Sequence, residues 1–312
     1  TAGLAIAGYT TTNLSNVEEY NGTAWSEETD IPTVMWKPGA LGIQTAALSI
    51  GGIAPPSPSS VGTTFKYDGS SWTSTGALGT ARYGATGAGT TSAGMAAGGF
   101  IVPNTQSSAV ELYDGTSWTA GTSLNTARNG DANQGGGTAQ TNVLVYGGTA
   151  PSSGKTESWD GTSWTEEGDM ATNTNRFAGA TADSSGGFAA GGAPTSPTGK
   201  AYAEEFNRSA SVITAAAWAA GGTLGTARYL MAGFGGPTTA VCATGKTPPN
   251  TGNVEEYNGT TWSEETNVGG ARGALGSAGT QTAGLIFGAF PAETTTEEYD
   301  GSSWTSSGGM NT

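Results

Sequence analysis

Five arginines have the spacing in this 312-residue chain that most suggests a binding site. Each stands just before a run of small residues, and the set is Arg82, Arg128, Arg176, Arg228 and Arg272. Guanidinium groups are forked donors that fit carboxylates and similar anions, so a cluster of them would recognise a carboxylate or a sulfated sugar. In the alternative that we favour, each arginine donates to loop carbonyls or stacks on a neighbouring aromatic residue and so holds repeated units together.

The acidic residues recur as adjacent pairs. Two facing carboxylates could cleave glycosides or hold calcium. Repetition of the same pair in unit after unit instead predicts a solvated outer surface. The pairs are Glu18-Glu19, Glu204-Glu205, Glu255-Glu256 and Glu297-Glu298, with Glu27-Glu28, Glu166-Glu167 and Glu264-Glu265 elsewhere in the unit.

The chain contains no histidine and one cysteine, Cys242. Without imidazole, neither a histidine-ligated copper site nor a Ser-His or Cys-His nucleophile system can be assembled. A single cysteine cannot form an internal disulfide, and its apolar neighbours predict a buried strand position. We therefore predict a protein that is not an enzyme, with no catalytic residues, no metal site and no cofactor.

Charge and hydropathy narrow the choice of partners. The 11 basic and 25 acidic residues give a net charge of −14, which argues against nucleic acid as a partner because phosphate binding needs clustered Lys and Arg. No apolar run approaches the roughly 20 residues that a membrane-spanning helix needs, so membrane insertion is not expected.

A short aromatic motif repeats along the whole chain. Tyr67-Asp68-Gly69-Ser70-Ser71-Trp72 returns in related form, ending at Trp25, Trp118, Trp164, Trp262 and Trp304, with a stretched copy ending at Trp218. Successive tryptophans lie 42 to 54 residues apart, which is the range of four-stranded propeller blades. The repeat therefore predicts a seven-bladed β-propeller, with blades at approximately 1–30 (partial), 31–77, 78–123, 124–169, 170–223, 224–267 and 268–312.

Each unit has a fixed internal order. Two segments of small residues are followed by a segment ending in Tyr, then by Asp-Gly or Asn-Gly, and then by a segment that starts at Trp. Asp-Gly predicts a two-residue hairpin turn between the last two strands. Gly, Thr and Ser interrupt every candidate helical window, so the class is all-β, with four-stranded antiparallel blades in a single domain.

One inner strand is missing from this count. Seven copies of the last three strands are present, but only six first strands, which begin near Gly39 and near the five arginines. We expect the strand that closes the ring to lie outside the given residues, before Thr1 or after Thr312. The alternative is that the given residues are part of a longer series of the same repeats.

The order Arg, Gly-Gly, Tyr and Trp resembles the kelch repeat of the galactose-oxidase-like propellers. The doublets are Gly51-Gly52, Gly98-Gly99, Gly147-Gly148 and Gly191-Gly192. Two departures are a shorter interval from Tyr67 to Trp72 than in ordinary kelch blades and weaker doublets in three blades, at Gly8-Tyr9, Gly245-Lys246 and Gly288-Ala289. The resemblance implies a kelch-like propeller with tighter outer hairpins.

A closer resemblance is to Thr-rich kelch-like repeat proteins of marine bacteriophages, especially cyanophages. The segments that carry it are Glu255-Glu256-Tyr257-Asn258-Gly259-Thr260-Thr261-Trp262, Leu124-Asn125-Thr126-Ala127-Arg128 and Ala278-Gly279-Thr280-Gln281-Thr282-Ala283. This resemblance implies a protein of the virion surface in a tail, fibre or capsid. The partners it implies are other virion proteins and a host surface polysaccharide or outer-membrane protein.

In a propeller, the five arginines would gather at one mouth of the central channel. The loops between second and third strands share that face and differ most between units, as binding surfaces on repeated frameworks do. Drift in unconstrained loops is the alternative. The candidate loop residues are Pro56, Ser57, Asn104, Thr105, Ser152, Ser153, Thr195, Ser196, Asn250 and Thr251. We therefore expect a host-attachment module, with a purely structural virion protein and a carbohydrate-active propeller enzyme as alternatives.

Overall fold

The computed structural model describes residues 3–55, 59–103, 105–128, 133–148, 154–172, 178–192, 200–208, 217–290 and 293–310. These residues form seven antiparallel blades of a β-propeller, as predicted, together with one small hairpin. Within the described ranges no helix is long and apolar enough to cross a membrane.

The strands are numbered in chain order. Blades 1 to 3 comprise β1 (Gly3–Tyr9), β2 (Asn13–Tyr20), β3 (Trp25–Glu27); β4 (Gly39–Ile43), β5 (Ala46–Ala54), β6 (Ser59–Tyr67), β7 (Trp72–Thr75); β8 (Thr86–Thr90), β9 (Ala93–Ala97), the hairpin β10 (Phe100–Ile101) and β11 (Thr105–Gln106), β12 (Val110–Tyr113), β13 (Trp118–Ala120). Blades 4 and 5 comprise β14 (Asn133–Ala139), β15 (Asn142–Gly147), β16 (Thr156–Trp159), β17 (Trp164–Glu166); β18 (Ala178–Asp183), β19 (Gly186–Ala190), β20 (Lys200–Asn207), β21 (Ala217–Arg228). Blades 6 and 7 comprise β22 (Ala232–Gly236), β23 (Thr239–Ala243), β24 (Val254–Tyr257), β25 (Trp262–Glu265); β26 (Gly276–Thr280), β27 (Ala283–Ala289), β28 (Glu293–Tyr299), β29 (Trp304–Ser307).

Blades 2 to 7 each have four strands in chain order from the axis outward. The described part of blade 1 has only β1, β2 and β3. The innermost strands pack against one another in succession from β4 through β8, β14, β18 and β22 to β26. Blade 1 therefore lacks an inner strand among the described residues, as the repeat count predicts.

The core lies between the blades and is built from apolar and aromatic residues that recur at the same positions of each repeat. One cluster joins Met95 and Val110 of blade 3 to Val143, Val145 and Trp159 of blade 4. Across each outer hairpin the two aromatic rings lie together, as in the Tyr67–Trp72 pair with centroids 4.8 Å apart. Small inner strands and large outer aromatics fit a wedge that widens away from the axis, so aromatic burial compensates for the modest hydrophobic content.

The ring is closed by contacts between blades 7 and 1. Trp25 Nε1 donates to Thr296 Oγ1 at 2.5 Å, and the Tyr20 hydroxyl lies 2.7 Å from Ser307 Oγ. The same kind of bond joins blades 2 and 3, where Trp118 Nε1 donates to Thr64 Oγ1 at 3.0 Å. Blade 1 is thus held at its outer strands by the same type of contact that joins blades 2 and 3.

The glycine doublets have a backbone reason. Gly51 and Gly52 adopt positive φ values of 60° and 126° at the end of the second strand. A Cβ on Gly51 would lie 2.3 Å from the Arg82 carbonyl oxygen, so glycine allows the next blade's backbone to approach. In blade 6 the positive-φ positions are Thr244 and Gly245, so the weakened doublet is one residue earlier there than the sequence predicted.

The outer hairpin turn differs from the expected two-residue turn. Tyr67 pairs with Trp72, so the loop has four residues and closes with the Asp68 N–H donating to the Ser71 carbonyl at 3.3 Å. Gly69 alone has positive φ in this loop, at 94°. The Asp68 carboxylate instead accepts from the backbone N–H groups of Ser70 and Ser71, an Asx-type turn.

These turns predict an acid-sensitive contribution to stability. Hydrogen bonds from Ser71 and Ser70 lower the pKa of Asp68 to about 2, and the same turn lowers that of Asp300 to about 2. Backbone donors also lower the pKa of Asp114 and Asp160. A lowered folded-state pKa adds stability that is present above the ordinary value of 3.8 and is lost as pH falls toward 2.

Changing these four aspartates to Asn, the residue that Asn21 and Asn258 supply in blades 1 and 6, should therefore flatten the dependence of Tm on pH between about 4 and 2. Thermal unfolding of both proteins across that range measures the effect. An unchanged slope would show that the turn carboxylates do not contribute.

Candidate binding site

The described arginines lie inside the blades. Arg82, Arg128 and Arg228 are 0% exposed and Arg272 is 1% exposed, so no soluble ligand can reach their guanidinium groups in this conformation. The prediction of an accessible arginine ring at the channel mouth is therefore wrong for these four residues. Arg176 lies outside the described residues.

Each of these arginines precedes the inner strand of a blade and pairs with a glutamate on the third strand of that blade. Arg82 Nη1 donates to Glu111 Oε1 at 2.5 Å and Arg82 Nη2 donates to the Ala96 carbonyl at 3.2 Å. The remaining pairs are Arg128–Glu157 at 2.6 Å, Arg228–Glu255 at 3.0 Å and Arg272–Glu297 at 2.6 Å. Burial lowers the pKa of Arg82, and the Glu111 carboxylate opposes that shift.

The same arginines join neighbouring blades through their backbone. The Arg82 carbonyl accepts from the Gly52 N–H of blade 2 at 3.0 Å, and the Arg128 carbonyl accepts from the Gly99 N–H of blade 3 at 2.9 Å. The side chain of each of these two arginines thus contacts one blade, and its main chain contacts the preceding blade. This geometry agrees with the structural role that we favoured from the sequence.

The paired acidic residues are also placed differently from the prediction. The first glutamate of each third-strand pair is buried, at 3% exposure for Glu18, Glu204 and Glu297 and 4% for Glu255. The second is partly buried beside a tyrosine of the next blade: Tyr67 donates to Glu19 at 2.9 Å, and burial with Glu205 raises the pKa of Tyr257 to about 12. The third-strand pairs are therefore structural, and the prediction of a solvated surface is wrong for them.

In blades 3 to 7 these glutamates also hold the linker that leads into their blade. Glu111 accepts from the Gly79 N–H at 2.6 Å and from the Thr80 N–H at 3.3 Å, while it also binds Arg82. Glu157 does the same with Asn125 and Thr126. One carboxylate thus satisfies two linker donors and a buried cation.

Blade 2 replaces this arrangement with apolar residues. Its counterparts of Gly79, Arg82 and Glu111 are Pro32, Met35 and Phe65. Met35 and Phe65 are buried in one cluster, at 0% and 3% exposure. Pro32 has no N–H to donate, and Thr33, the counterpart of Thr80, is exposed to solvent, so neither position needs the carboxylate. Blade 2 therefore lacks both members of the ion pair and the first linker donor, and apolar residues occupy all three positions.

A cluster of aromatic residues around a lysine lies on the face where second strands end and first strands begin, which we call the loop face. The aromatic patch consists of Tyr9, Trp36, Lys37, Tyr83 and Phe100. Ring centroids are 5.2 Å apart in the Tyr9–Trp36 pair and 5.4 Å in the stacked Tyr83–Phe100 pair. Lys37 Nζ lies 4.5 Å from the Trp36 ring centroid and 5.9 Å from that of Tyr83, so a cation bridges the two pairs.

Backbone geometry puts Lys37 close to the axis. Its φ is 53°, and the same position in blades 6 and 7 holds Leu230 at 54° and Ala274 at 59°. The Lys37 carbonyl accepts from the Gly84 N–H, just as the Leu230 carbonyl accepts from the Ala274 N–H. These hydrogen bonds run from blade to blade just before the innermost strands, so this position borders the channel mouth.

The patch is accessible at its rim. Tyr9 is 47% exposed, whereas Trp36, Lys37 and Phe100 are half-buried. Tyr83 is 8% exposed and supports the layer from below. A second, smaller group on the same face has Lys246 Nζ 5.6 Å from the ring of Phe290, which is 56% exposed. Both groups present flat apolar faces beside a positive charge.

Three of the ten candidate loop residues are described. Thr105 is exposed in the β10–β11 hairpin, which starts at Phe100 of the aromatic patch. Asn250 forms an isolated antiparallel β-bridge with Lys246, and the Thr251 N–H donates to the Gly245 carbonyl at 2.9 Å. The others lie outside the described residues: Pro56, Ser57, Asn104, Ser152, Ser153, Thr195 and Ser196.

Sequence reasoning missed the aromatic patch because it compared arginines and loops. The signal was an aromatic residue directly after the arginine position, as at Trp36, Tyr83 and Tyr229, or directly after the doublet, as at Phe100. Cys242 is buried as predicted, and burial raises the pKa of its thiol to about 12, so it is an unreactive core residue.

The long hairpin of blade 5 is present, with Phe206 paired to Trp218. Residues 209–216 lie outside the described ranges. Arg208, at the start of this extension, forms an ion pair with Glu167 and donates to Ser158 Oγ at 2.6 Å, both in blade 4. This end of the extension therefore adds a contact between neighbouring blades.

Comparison with known proteins supports the fold. A solved fungal alcohol oxidase of the AA5 family, in complex with copper, is similar over 92% of this chain and 68% of its own, with a TM-score of 0.67 and 16% sequence identity. No family model and no curated protein matches. At this identity the similarity shows a β-propeller fold and leaves the activity open.

Proposed function

We propose that this chain is a kelch-like, non-enzymatic surface protein of a bacteriophage particle, and that its loop face binds a glycan of the host envelope. The observation that supports binding is the aromatic patch. Aromatic faces pack against the C–H faces of sugar rings, while a lysine beside them can bind acidic sugar substituents. The resemblance of the repeats to marine phage proteins supports the proposed location on the virion.

Charge distribution supports the choice of the loop face. The chain has five lysines, and two of them, Lys37 and Lys246, lie beside exposed or half-buried aromatic rings on this face. Four arginines are buried in ion pairs and contribute no surface donors. In a protein of net charge −14, the lysines of the loop face therefore offer a local attraction for an acidic glycan.

The copper chemistry of the similar oxidase does not transfer to this chain. The chain has no histidine, and the described residues contain no group of three His, Cys, Asp or Glu side chains that could hold a metal ion. The donors therefore do not fit a histidine-ligated copper site. The third-strand glutamates are also engaged in buried ion pairs and linker contacts, which argues against their use as a glycosidase pair.

A glycan array probed with the 312-residue protein tests the proposal. Trp36→Ala should weaken binding by about tenfold or more, since stacking partners often dominate such interfaces. Lys37→Met should weaken binding to acidic glycans more than to neutral ones and should reduce its salt dependence. Ile43→Ala, at an exposed residue where β4 turns into β5, is the matched control and should bind normally.

Host-envelope extracts provide a second arm. If the folded protein binds neither glycans nor envelope material, a structural role in the particle replaces attachment. If it binds but the aromatic variants bind equally well, the site lies elsewhere on the surface. Release of sugars from a bound polysaccharide would contradict the non-enzymatic proposal.

A further inference from the structure

The inner edge of blade 1 differs from that of every other blade. In blades 2 to 7 the second strand pairs on both sides, whereas β1 pairs as a strand only with β2 among the described residues. The residues of β1 are half-buried or exposed, while β5, β9, β15, β19 and β23 are almost entirely buried. An open strand edge with backbone donors and acceptors is a template for another strand.

Cavities lie on both faces of this edge. Since side chains alternate along a strand, Ala5 and Ala7 line one face and Leu4 and Ile6 line the other. The first cavity has a volume of about 380 Å³ and is also lined by Phe287 and Met310 of blade 7. The second has a volume of about 620 Å³ and is also lined by Leu41 and Ile43 of blade 2.

The other blades show what fits this position. The inner strands of blades 2 to 7, from β4 to β26, pack against one another in succession. The open edge of β1 faces the position between β26 and β4, where an inner strand of blade 1 would lie. Inner strands of this chain are short and rich in Gly and Ala, as in Thr86–Thr90.

Charge defines the occupant further. Glu18 lines the first cavity and occupies the position of Glu111, Glu157, Glu255 and Glu297. Each of those four carboxylates binds an arginine, and in blade 3 the arginine stands four residues before the inner strand. Glu111 binds Arg82 while accepting two backbone N–H groups, so such a carboxylate can hold several donors at once.

We propose that this edge binds a polypeptide strand of the inner-strand type, which is rich in Gly and Ala and carries an arginine four residues before its first paired residue. Its backbone extends the blade 1 sheet along residues 3–7, and its arginine pairs with Glu18. The mode is strand addition, in which main-chain hydrogen bonds give affinity and side-chain pockets give specificity. This inference does not depend on glycan binding.

The chain supplies its own probe, a synthetic peptide with the sequence of residues 79–90 that contains Arg82 and β8. Titrated into the 312-residue protein, it should bind one to one, raise Tm and protect the amides of residues 3–7 from hydrogen exchange. The same peptide with Arg82→Gln should bind about tenfold or more weakly, because it lacks the charge-assisted pair. A peptide of shuffled sequence is the control for non-specific association.

The protein side of the pair gives a second test. In Glu18→Gln protein, the two peptides should bind with equal affinity, whereas the exposed change Glu27→Gln should leave their difference intact. If Glu18→Gln protein does not fold, the affinities of the three peptides for the unaltered protein still test the proposal. No binding to folded protein, or equal binding of the shuffled peptide, overturns the proposal. Formation of a dimer that the peptide cannot displace would instead identify a second copy as the occupant.

Discussion

Changing Glu111 to Gln should lower the free energy of unfolding by about 3–5 kcal/mol, the range found when one partner of a buried ion pair is removed. Arg82 is fully buried, and its shortest contact to an acceptor is the 2.5 Å bond to Glu111. Glutamine keeps an oxygen for the Gly79 N–H but leaves the cation without its countercharge. Urea unfolding followed by tryptophan fluorescence measures the loss.

Blade 2 suggests how the loss can be reversed. The triple change Gly79→Pro, Arg82→Met and Glu111→Phe copies Pro32, Met35 and Phe65 into blade 3. It removes the charge, the countercharge and the Gly79 linker donor together, so stability should return to within about 2 kcal/mol of the unaltered protein. Glu27→Gln at the exposed edge should change stability by less than about 0.5 kcal/mol. A triple variant as unstable as Glu111→Gln would show that the charge pair is not the cause.

Changing Trp25 to Ala should cost about 3–5 kcal/mol, as for other large aromatic truncations in a core. Trp25 is 6% exposed, and its ring centroid lies 4.6 Å from that of Phe287 and 5.2 Å from that of Tyr20. Its loss also removes the bond to Thr296 that joins blade 1 to blade 7. Hydrogen exchange should therefore rise first in blades 1 and 7.

Trp118→Ala is the matched control, because Trp118 makes the corresponding bond to Thr64 between blades 3 and 2. Its hydrogen exchange should rise in blades 2 and 3 and not at the junction of blades 7 and 1. Trp25→Phe should retain most of the aromatic packing and lose much less stability. Uniform exchange in all blades after Trp25→Ala would contradict a local closure at this junction.

The architecture could be predicted because its signals are local and repeated. A hydrogen-bonded turn at Asp68 and a Trp at fixed distance recur in nearly every unit, and each recurrence reports the same hairpin. The count of second, third and fourth strands likewise indicated that blade 1 is short of one inner strand. Even so, the turn proved to have four residues, because the Asp side chain and not its backbone φ forms the bend.

The roles of the charged residues and the site depended on tertiary structure. Arg82 and Glu111 are 29 residues apart, and nothing local indicates that both point into the same blade and lose contact with water. The aromatic patch draws Tyr9, Trp36 and Phe100 from three different blades. A repeat thus specifies how each blade folds, whereas burial and neighbourhood arise only when blades pack, because a side chain's surroundings in a propeller come mostly from the adjacent blade.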